Sequence, residues 1–156
     1  MPVHNFEPIY NENSKILILG SFPSVKSREA AFYYGHPQNR FWPLLARLLK
    51  EEKTETIDEK IKMILKHHIA LYDAAYACEI EGSADVKMKN IIPSDLSPIL
   101  ETGDIRAIFC NGRKSYDIVT KKMGREAILL PSTSPANASY SMERLEEHWK
   151  VILNYL

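Results

Sequence analysis

The 156-residue chain reads as an α/β protein, a three-layer α/β/α sandwich on a short central parallel four-stranded sheet. Three observations predict this. Short apolar runs recur at four places along the chain, and two of them end in Gly. The runs are continuous rather than alternating, as in strands buried on both faces. Segments with helical spacing lie between them, which implies parallel βαβ units with helices on both faces.

KILILG, Lys15–Gly20, is the first strand. A loop holding Pro23, Ser24 and Ser27 follows, then a short helix ending near Tyr34. PQNRFWPLLARLLK predicts a helix from Pro37 with Phe41, Leu44, Leu45 and Leu48 or Leu49 inward; Pro37 suits a first turn and Pro43 would kink the interior. A second amphipathic helix begins at Thr56 and turns Ile57, Ile61, Ile64 and Leu65 inward. IALYDAAY, from Ile69, is the second strand, and a polar loop runs on through Gly82 to Lys89. Pro93–Leu100 holds a short helix capped by Ser94 or Asp95. Ile105–Gly112 is the third strand, followed by a helix from Arg113 to Met123 that closes at Gly124. Ala127–Pro131 is the fourth strand. The loop STSPANAS then leads to a last helix from Ser141, whose first turns suit Glu143, Glu146 and Glu147. No repeat or linker interrupts residues 1–156, so one domain is expected.

Composition narrows the function. Twenty Lys and Arg balance 20 Asp and Glu, 26% of residues are charged and 45% hydrophobic. This excludes disorder, collagen-like repeats and disulfide scaffolds. A zero net charge argues against a surface that coats nucleic acid without specificity. The two cysteines, Cys78 and Cys110, form no CxxC pair, read as buried thiols, and cannot supply a zinc ribbon or a four-cysteine iron–sulfur cluster. His67 and His68 are adjacent rather than four apart and are expected in solvent, not on a metal. The N-terminus lacks the basic and apolar regions of a secretory signal, and no apolar run approaches a membrane span. A cytoplasmic protein is expected.

Ligands of open parallel α/β sheets bind beyond the carboxyl ends of the strands. That rule selects Ser21–Gln38, Ala74–Asn90, Asn111–Lys114 and Ser132–Ser139. The first and last are rich in Pro, Ser, Gly and Asn, which present backbone N–H groups and small hydroxyls at close range. Neither GxGxxG, nor the phosphate-binding GxxxxGK[ST], nor a GxSxG nucleophile elbow occurs.

Four motifs stand in order over residues 15–155: GSFPS at Gly20–Ser24, YYGHPQNRFW at Tyr33–Trp42, LYDAAYACEIEGSAD from Leu71 and LPSTSPANAS at Leu130–Ser139, with IFCNGRKSYDIV at Ile108–Val119, similar to the mismatch-specific branch, between the last two. Together they resemble the uracil-DNA glycosylase superfamily, and most of all its hypoxanthine-DNA (deoxyinosine) glycosylase branch. The chain departs from the superfamily pattern twice. The usual activating Asp or Asn of the first motif falls at Phe22, and the His of the second falls at Leu130. Both changes argue against efficient uracil excision and against the alternative of a uracil or thymine mismatch glycosylase. A non-catalytic DNA- or nucleotide-binding module is the alternative from another class.

The resemblance implies a monofunctional enzyme that flips a deaminated base out of double-stranded DNA and hydrolyses its glycosidic bond. It implies no cofactor or metal, a monomer, and association with the nucleoid when on DNA. Asn39 is the catalytic candidate; its carboxamide either orients water or bonds the base, the alternative being a helix cap. Gly20, Ser21, Phe22, Pro23, Ser24, Tyr34 and Asn111 are the base-binding candidates. Tyr34 would stack on the base, Phe22 would form the other wall or fill the lost polar position, and Asn111 with the Gly20–Ser24 backbone would read the lactam edge; Asn111 alternatively marks a turn. Ser132, Ser134, Asn137, Arg113 and Lys114 are the DNA-binding candidates. Asp73 is expected to order loops rather than activate water. No intercalating wedge is legible.

Charge is unevenly spread. Residues 20–50 hold five basic residues against Glu29, net +4, and residues 106–125 hold six against Asp117, net +5. Residues 51–60 carry five acids and two lysines, net −3. Both basic segments flank motif loops, so the neutral total hides a compact DNA footprint.

Overall fold

The computed structural model describes residues 1–81 and 87–156. Its elements run β1 (Ile16–Gly20), α1 (Val25–Ala30), α2 (Phe41–Leu48), α3 (Ile57–Lys66), β2 (Ile69–Asp73), β3 (Ala75–Glu81), β4 (Lys87–Pro93), α4 (Ser97–Thr102), β5 (Ala107–Asn111), α5 (Arg113–Asp117), β6 (Ile128–Leu130) and α6 (Met142–Trp149). A π-helical turn, Ile118–Lys122, extends α5, and 3-10 turns, Lys150–Tyr155, extend α6.

The four expected strands form one sheet in the order β2-β1-β5-β6, parallel at every pairing. Ile16, Leu17, Ile18 and Leu19 of β1 are fully buried, as are all but the last two residues of β2. These strands are apolar throughout because helices cover both faces, where an alternating strand would bury polar groups. The chain leaves β1 for β2 on one side and later returns to β5 on the other. The strand order therefore reverses between β1 and β5, and their carboxyl ends, Gly20 and Asn111, face a crevice.

Several expectations are corrected. The second helix starts at Phe41, not Pro37; residues 36–39 make a turn closed by the Asn39 N–H on His36 O. Pro43 is then the third helical residue, where its missing N–H has no intrahelical acceptor to lose, and it makes no kink. Thr56 caps α3 with Glu59 in a reciprocal capping box, which turns Ile57 outward at 45% exposure. The polar stretch after β2 is an antiparallel hairpin of β3 and β4, whose polar residues toward the turn hid the strands; residues 82–86 of the expected loop lie outside the described residues. The expected cap of the next helix does not form: Pro93 ends β4, α4 starts at Ser97 behind Leu96 with no side-chain cap, Ser94 Oγ donates to Asp73 O instead, and Asp95 Oδ1 accepts from the Ser97 N–H from just outside the helix. His67 is half-buried and bonds Glu51 Oε2 at 2.7 Å, rather than standing in solvent, because Glu51 reaches back over the end of α3.

Other expectations hold. Cys78 and Cys110 are buried free thiols. Ser141 caps α6 by accepting from the Arg144 N–H. Residues 1–10 run as a strap along the edge of the sheet, bridging Ile9 to Leu71 and Val3 to Ala77. Among the described residues no helix is long and apolar enough to cross a membrane.

Candidate active site

All the residues singled out as catalytic, base-binding or DNA-binding line one cleft of about 1230 Å³ at the carboxyl ends of the strands. Gly20 ends β1 and Asn111 ends β5, so the sheet itself fixes the floor. Ser21–Ser24 form one wall. Ser24 caps α1 by accepting from the Ser27 N–H.

Asn39 stands two residues before α2, where its Oδ1 accepts from the Phe41 N–H at 2.9 Å. The same oxygen accepts from the Thr133 hydroxyl at 2.9 Å. Both lone pairs are therefore used, and the amide NH₂ is the part of Asn39 left for the cleft. The N-cap of α2 is Arg40, so Asn39 stands one residue outside it and meets the first helical N–H in an Asx turn.

Asn111 is buried and clamps Thr133 in both directions. Its Nδ2 donates to Thr133 Oγ1 at 3.0 Å and its Oδ1 accepts from the Thr133 N–H at 3.0 Å. The amide expected to read the base is thus committed to holding the fourth-strand loop. Gly112 follows with φ +96°, and a Cβ there would sit 3.3 Å from Ser132 Cβ, so the two loops approach closely only because residue 112 is Gly.

Tyr34 takes φ +52° and stacks on Phe41, ring centroids 4.0 Å apart. One ring face is taken, so a base can stack only on the other. Burial pushes the Tyr34 hydroxyl well above its ordinary range, against the opposing pull of the Asn111 amide nearby, and among the described residues no partner meets it with hydrogen-bond geometry. Phe22 is half-buried, its ring edge-on to His4 at 6.4 Å, with the Arg28 guanidinium 5.6 Å over it. Phe41 and Trp42 are core residues.

Residues 132–140 form a loop folded on itself. Ser132 Oγ accepts from the Ser134 N–H, Ser134 Oγ from the Ala136 N–H, and the Asn137 amide donates to Ser132 O. The serine oxygens accept internally, which leaves their hydroxyl hydrogens to donate to phosphate. Arg113 is 69% exposed at the rim and pairs with Asp117; Lys114 also lines the cleft.

Two functional positions escaped the sequence reading. Thr133, fully buried, is the hub between Asn39 and Asn111, but in the sequence it is one hydroxyl among Ser132, Thr133 and Ser134. Arg40 was legible only as a basic charge. Its guanidinium donates to Tyr140 O, to Ser134 O at 3.0 Å and to Asn137 O at 3.1 Å, with Nε 3.4 Å from Thr133 O. A cation surrounded by carbonyls of one loop is a staple for that loop, and only the fold brings positions nearly 100 residues apart together. The acid at Asp73 lies in the cleft wall with His4 behind it.

The chain has relatives. The M. acetivorans protein named hypoxanthine DNA glycosylase (Methanosarcina acetivorans) is 38% identical over 154 residues, covering 96% of this chain and 97% of the relative. Another of the same name, from Methanosarcina barkeri, is 34% identical over 146 residues, 88% of this chain and 89% of the relative. A solution NMR structure from Methanosarcina acetivorans, of a protein assigned to the uracil DNA glycosylases, superposes with TM-score 0.79 at 36% identity, covering 94% of this chain and 93% of that one. The model of the uracil DNA glycosylase superfamily matches residues 7–156. Fold, cleft and sequence agree, and the chain belongs to the uracil DNA glycosylase superfamily.

Proposed function

We propose that this chain is a monofunctional hypoxanthine-DNA glycosylase acting on deaminated adenine in double-stranded DNA. One observation carries the choice of base: the two relatives named hypoxanthine DNA glycosylase match nearly the full chain at 38% and 34% identity. Phe22 at the usual activating position supports it, since the cleft lacks the polar group on which uracil excision ordinarily relies. Residues 1–156 act as one domain and a monomer, in the cytoplasm, with no cofactor or metal.

The target base leaves the stack, which costs a few kcal/mol and is easiest at a mismatch. Tyr34 and Phe22 receive its faces; base–aromatic stacking contributes roughly 1–3 kcal/mol. The C1′–N bond breaks with its electron pair going to the base. Asn39, its oxygen held by Thr133 and Phe41, donates from its NH₂ to the base as negative charge accumulates there. Water adds through oxygen to C1′ and its proton ends on the freed base, leaving an abasic sugar. Without a strong general base among these groups, catalysis is by positioning. Ser132, Ser134, Asn137, Arg113 and Lys114 hold the flanking phosphates.

The test is incubation with duplexes carrying a single hypoxanthine, uracil, xanthine or normal base, followed by alkaline cleavage. Strand scission at hypoxanthine above all others is expected. Scission at none would leave only a binding module, and preference for uracil would overturn the assignment of the base.

A further inference from the structure

We propose that Asp73, held by His4 of the N-terminal strap, is the hydrogen-bond acceptor that reads the ring N–H of the flipped base. The inference rests on the base-excision reading above and names the residue that sorts bases within it.

Asp73 closes β2 directly opposite Gly20 and is 4% exposed. One carboxylate oxygen, Oδ2, lies 2.8 Å from His4 Nε2. The Phe6 N–H points at His4 Nδ1, 3.5 Å away, so the imidazole proton belongs on Nε2 and His4 donates. The strap keeps His4 there through the His4 N–H on Tyr76 O at 2.7 Å. Oδ1 is left over. It forms no hydrogen bond among the described residues, and it sits where a Cβ on residue 20 would come within 2.4 Å of it and within 2.9 Å of the Tyr34 hydroxyl. Only glycine at position 20 leaves room for these two oxygens at the strand mouths.

Oδ1 opens to the cleft, and a ligand that brings it an N–H gains a charge-assisted hydrogen bond there. Asn39 Oδ1 already accepts twice and Asn111 Oδ1 accepts from Thr133, which leaves Asp73 Oδ1, beside the unpartnered Tyr34 hydroxyl, as the carboxylate acceptor at the strand mouths without a donor among the described residues. Hypoxanthine carries an N–H beside its carbonyl and meets Oδ1 with a donor. Adenine, the undamaged parent base, carries a bare lone pair at the same ring position and would face oxygen lone pairs. The contact therefore rejects adenine by leaving both acceptors unmatched. Guanine shares the ring N–H, so this contact sorts against adenine and not against guanine. His4 is a positioning residue: by occupying Oδ2 it leaves one oxygen, in one orientation, for the base.

The experiment measures affinity for duplexes holding non-hydrolysable 2′-fluoroarabino-inosine or 2′-fluoroarabino-adenosine, with a tetrahydrofuran abasic duplex as reference. In Asp73→Asn the amide oxygen takes the His4 proton and the NH₂ turns to the cleft, a donor facing a donor. The inosine-over-adenosine preference should fall roughly 10–100-fold, with abasic-duplex affinity within about 3-fold of the parent, since that duplex brings no base edge to read. His4→Phe and His4→Gln test the same contact without touching the carboxylate: the phenyl ring has no donor and should lower the preference, while the Gln amide can donate to Oδ2 and should retain more of it. An unchanged preference in Asp73→Asn, or the same preference in both His4 variants, overturns the proposal. If the parent protein releases no hypoxanthine, the base-excision reading fails; if it does and Asp73→Asn keeps the preference, this inference alone fails.

Discussion

The Thr133 hydroxyl donates to Asn39 Oδ1 at 2.9 Å, joining positions 94 residues apart. Thr133 in turn is clamped twice by Asn111. One buried threonine thus ties the end of β5, the start of α2 and the loop after β6 into a single unit, and Asn39 inherits its orientation from that unit.

Thr133→Val keeps the shape and removes the hydroxyl, leaving the Asn111 amide N–H without its acceptor and Asn39 Oδ1 with one donor. Stability should fall by about 1–3 kcal/mol, and hypoxanthine excision under single turnover should fall roughly 10–100-fold as Asn39 loses its orientation. Urea unfolding and excision kinetics check the two parts.

Arg40→Lys should release the loop while leaving the sheet intact. A lysine offers three rotatable donors from a point charge and cannot span carbonyls the planar guanidinium reaches together. We expect faster proteolysis within residues 132–140 and affinity for an abasic duplex reduced by roughly 10-fold. Limited proteolysis and binding titration measure both.

These two predictions mark where the sequence stopped being informative. The four strands were legible because burial on both faces makes them continuously apolar, and the loops were legible because ligand sites follow strand ends. Asn39, Tyr34 and Asn111 were found through their motifs. What those motifs could not convey is which atoms remain free. Asn111 looked like a reader of the base and is spent on Thr133. Arg40 read only as one of the basic charges of residues 20–50 and is spent on carbonyls. Hydrogen-bond allocation depends on contacts between distant segments, and no local pattern encodes it. The β3–β4 hairpin was missed for another reason: its polar residues gather toward the turn, where β3 ends EIE and β4 begins KMKN, and they read as a loop.

Arg113 projects from the start of α5 with its side chain 69% exposed, beside Asp117. If it contacts one phosphate, Arg113→Ala should lower the slope of log affinity against log salt by about 1 and weaken binding equally for duplexes of any sequence. Titrations between low and moderate salt with inosine-containing and undamaged duplexes measure this.

Burial raises the Asp73 carboxyl above its ordinary 3.8, against the opposing pull of the His4 hydrogen bond. The folded chain therefore holds this proton to higher pH than the unfolded chain. Asp73 contributes less stability as pH rises through the window above 3.8, because the unfolded state then binds fewer protons than the native one. Asp73→Asn lacks this dependence, so its stability relative to the parent should increase from pH 4 to pH 7. Urea midpoints across that range test it, and a gain at a functional position would mark Asp73 as kept for chemistry rather than for folding.

In the proposed reaction Asn39, held just ahead of α2, stabilises the departing base as the glycosidic bond of a flipped hypoxanthine breaks. Its most direct test is Asn39→Ala, with single-turnover excision from a deoxyinosine duplex measured beside affinity for an abasic duplex. Excision reduced roughly 100-fold or more, with affinity changed by less than about 3-fold, is the expected result. Excision at the parent rate would contradict it and remove Asn39 from the chemistry.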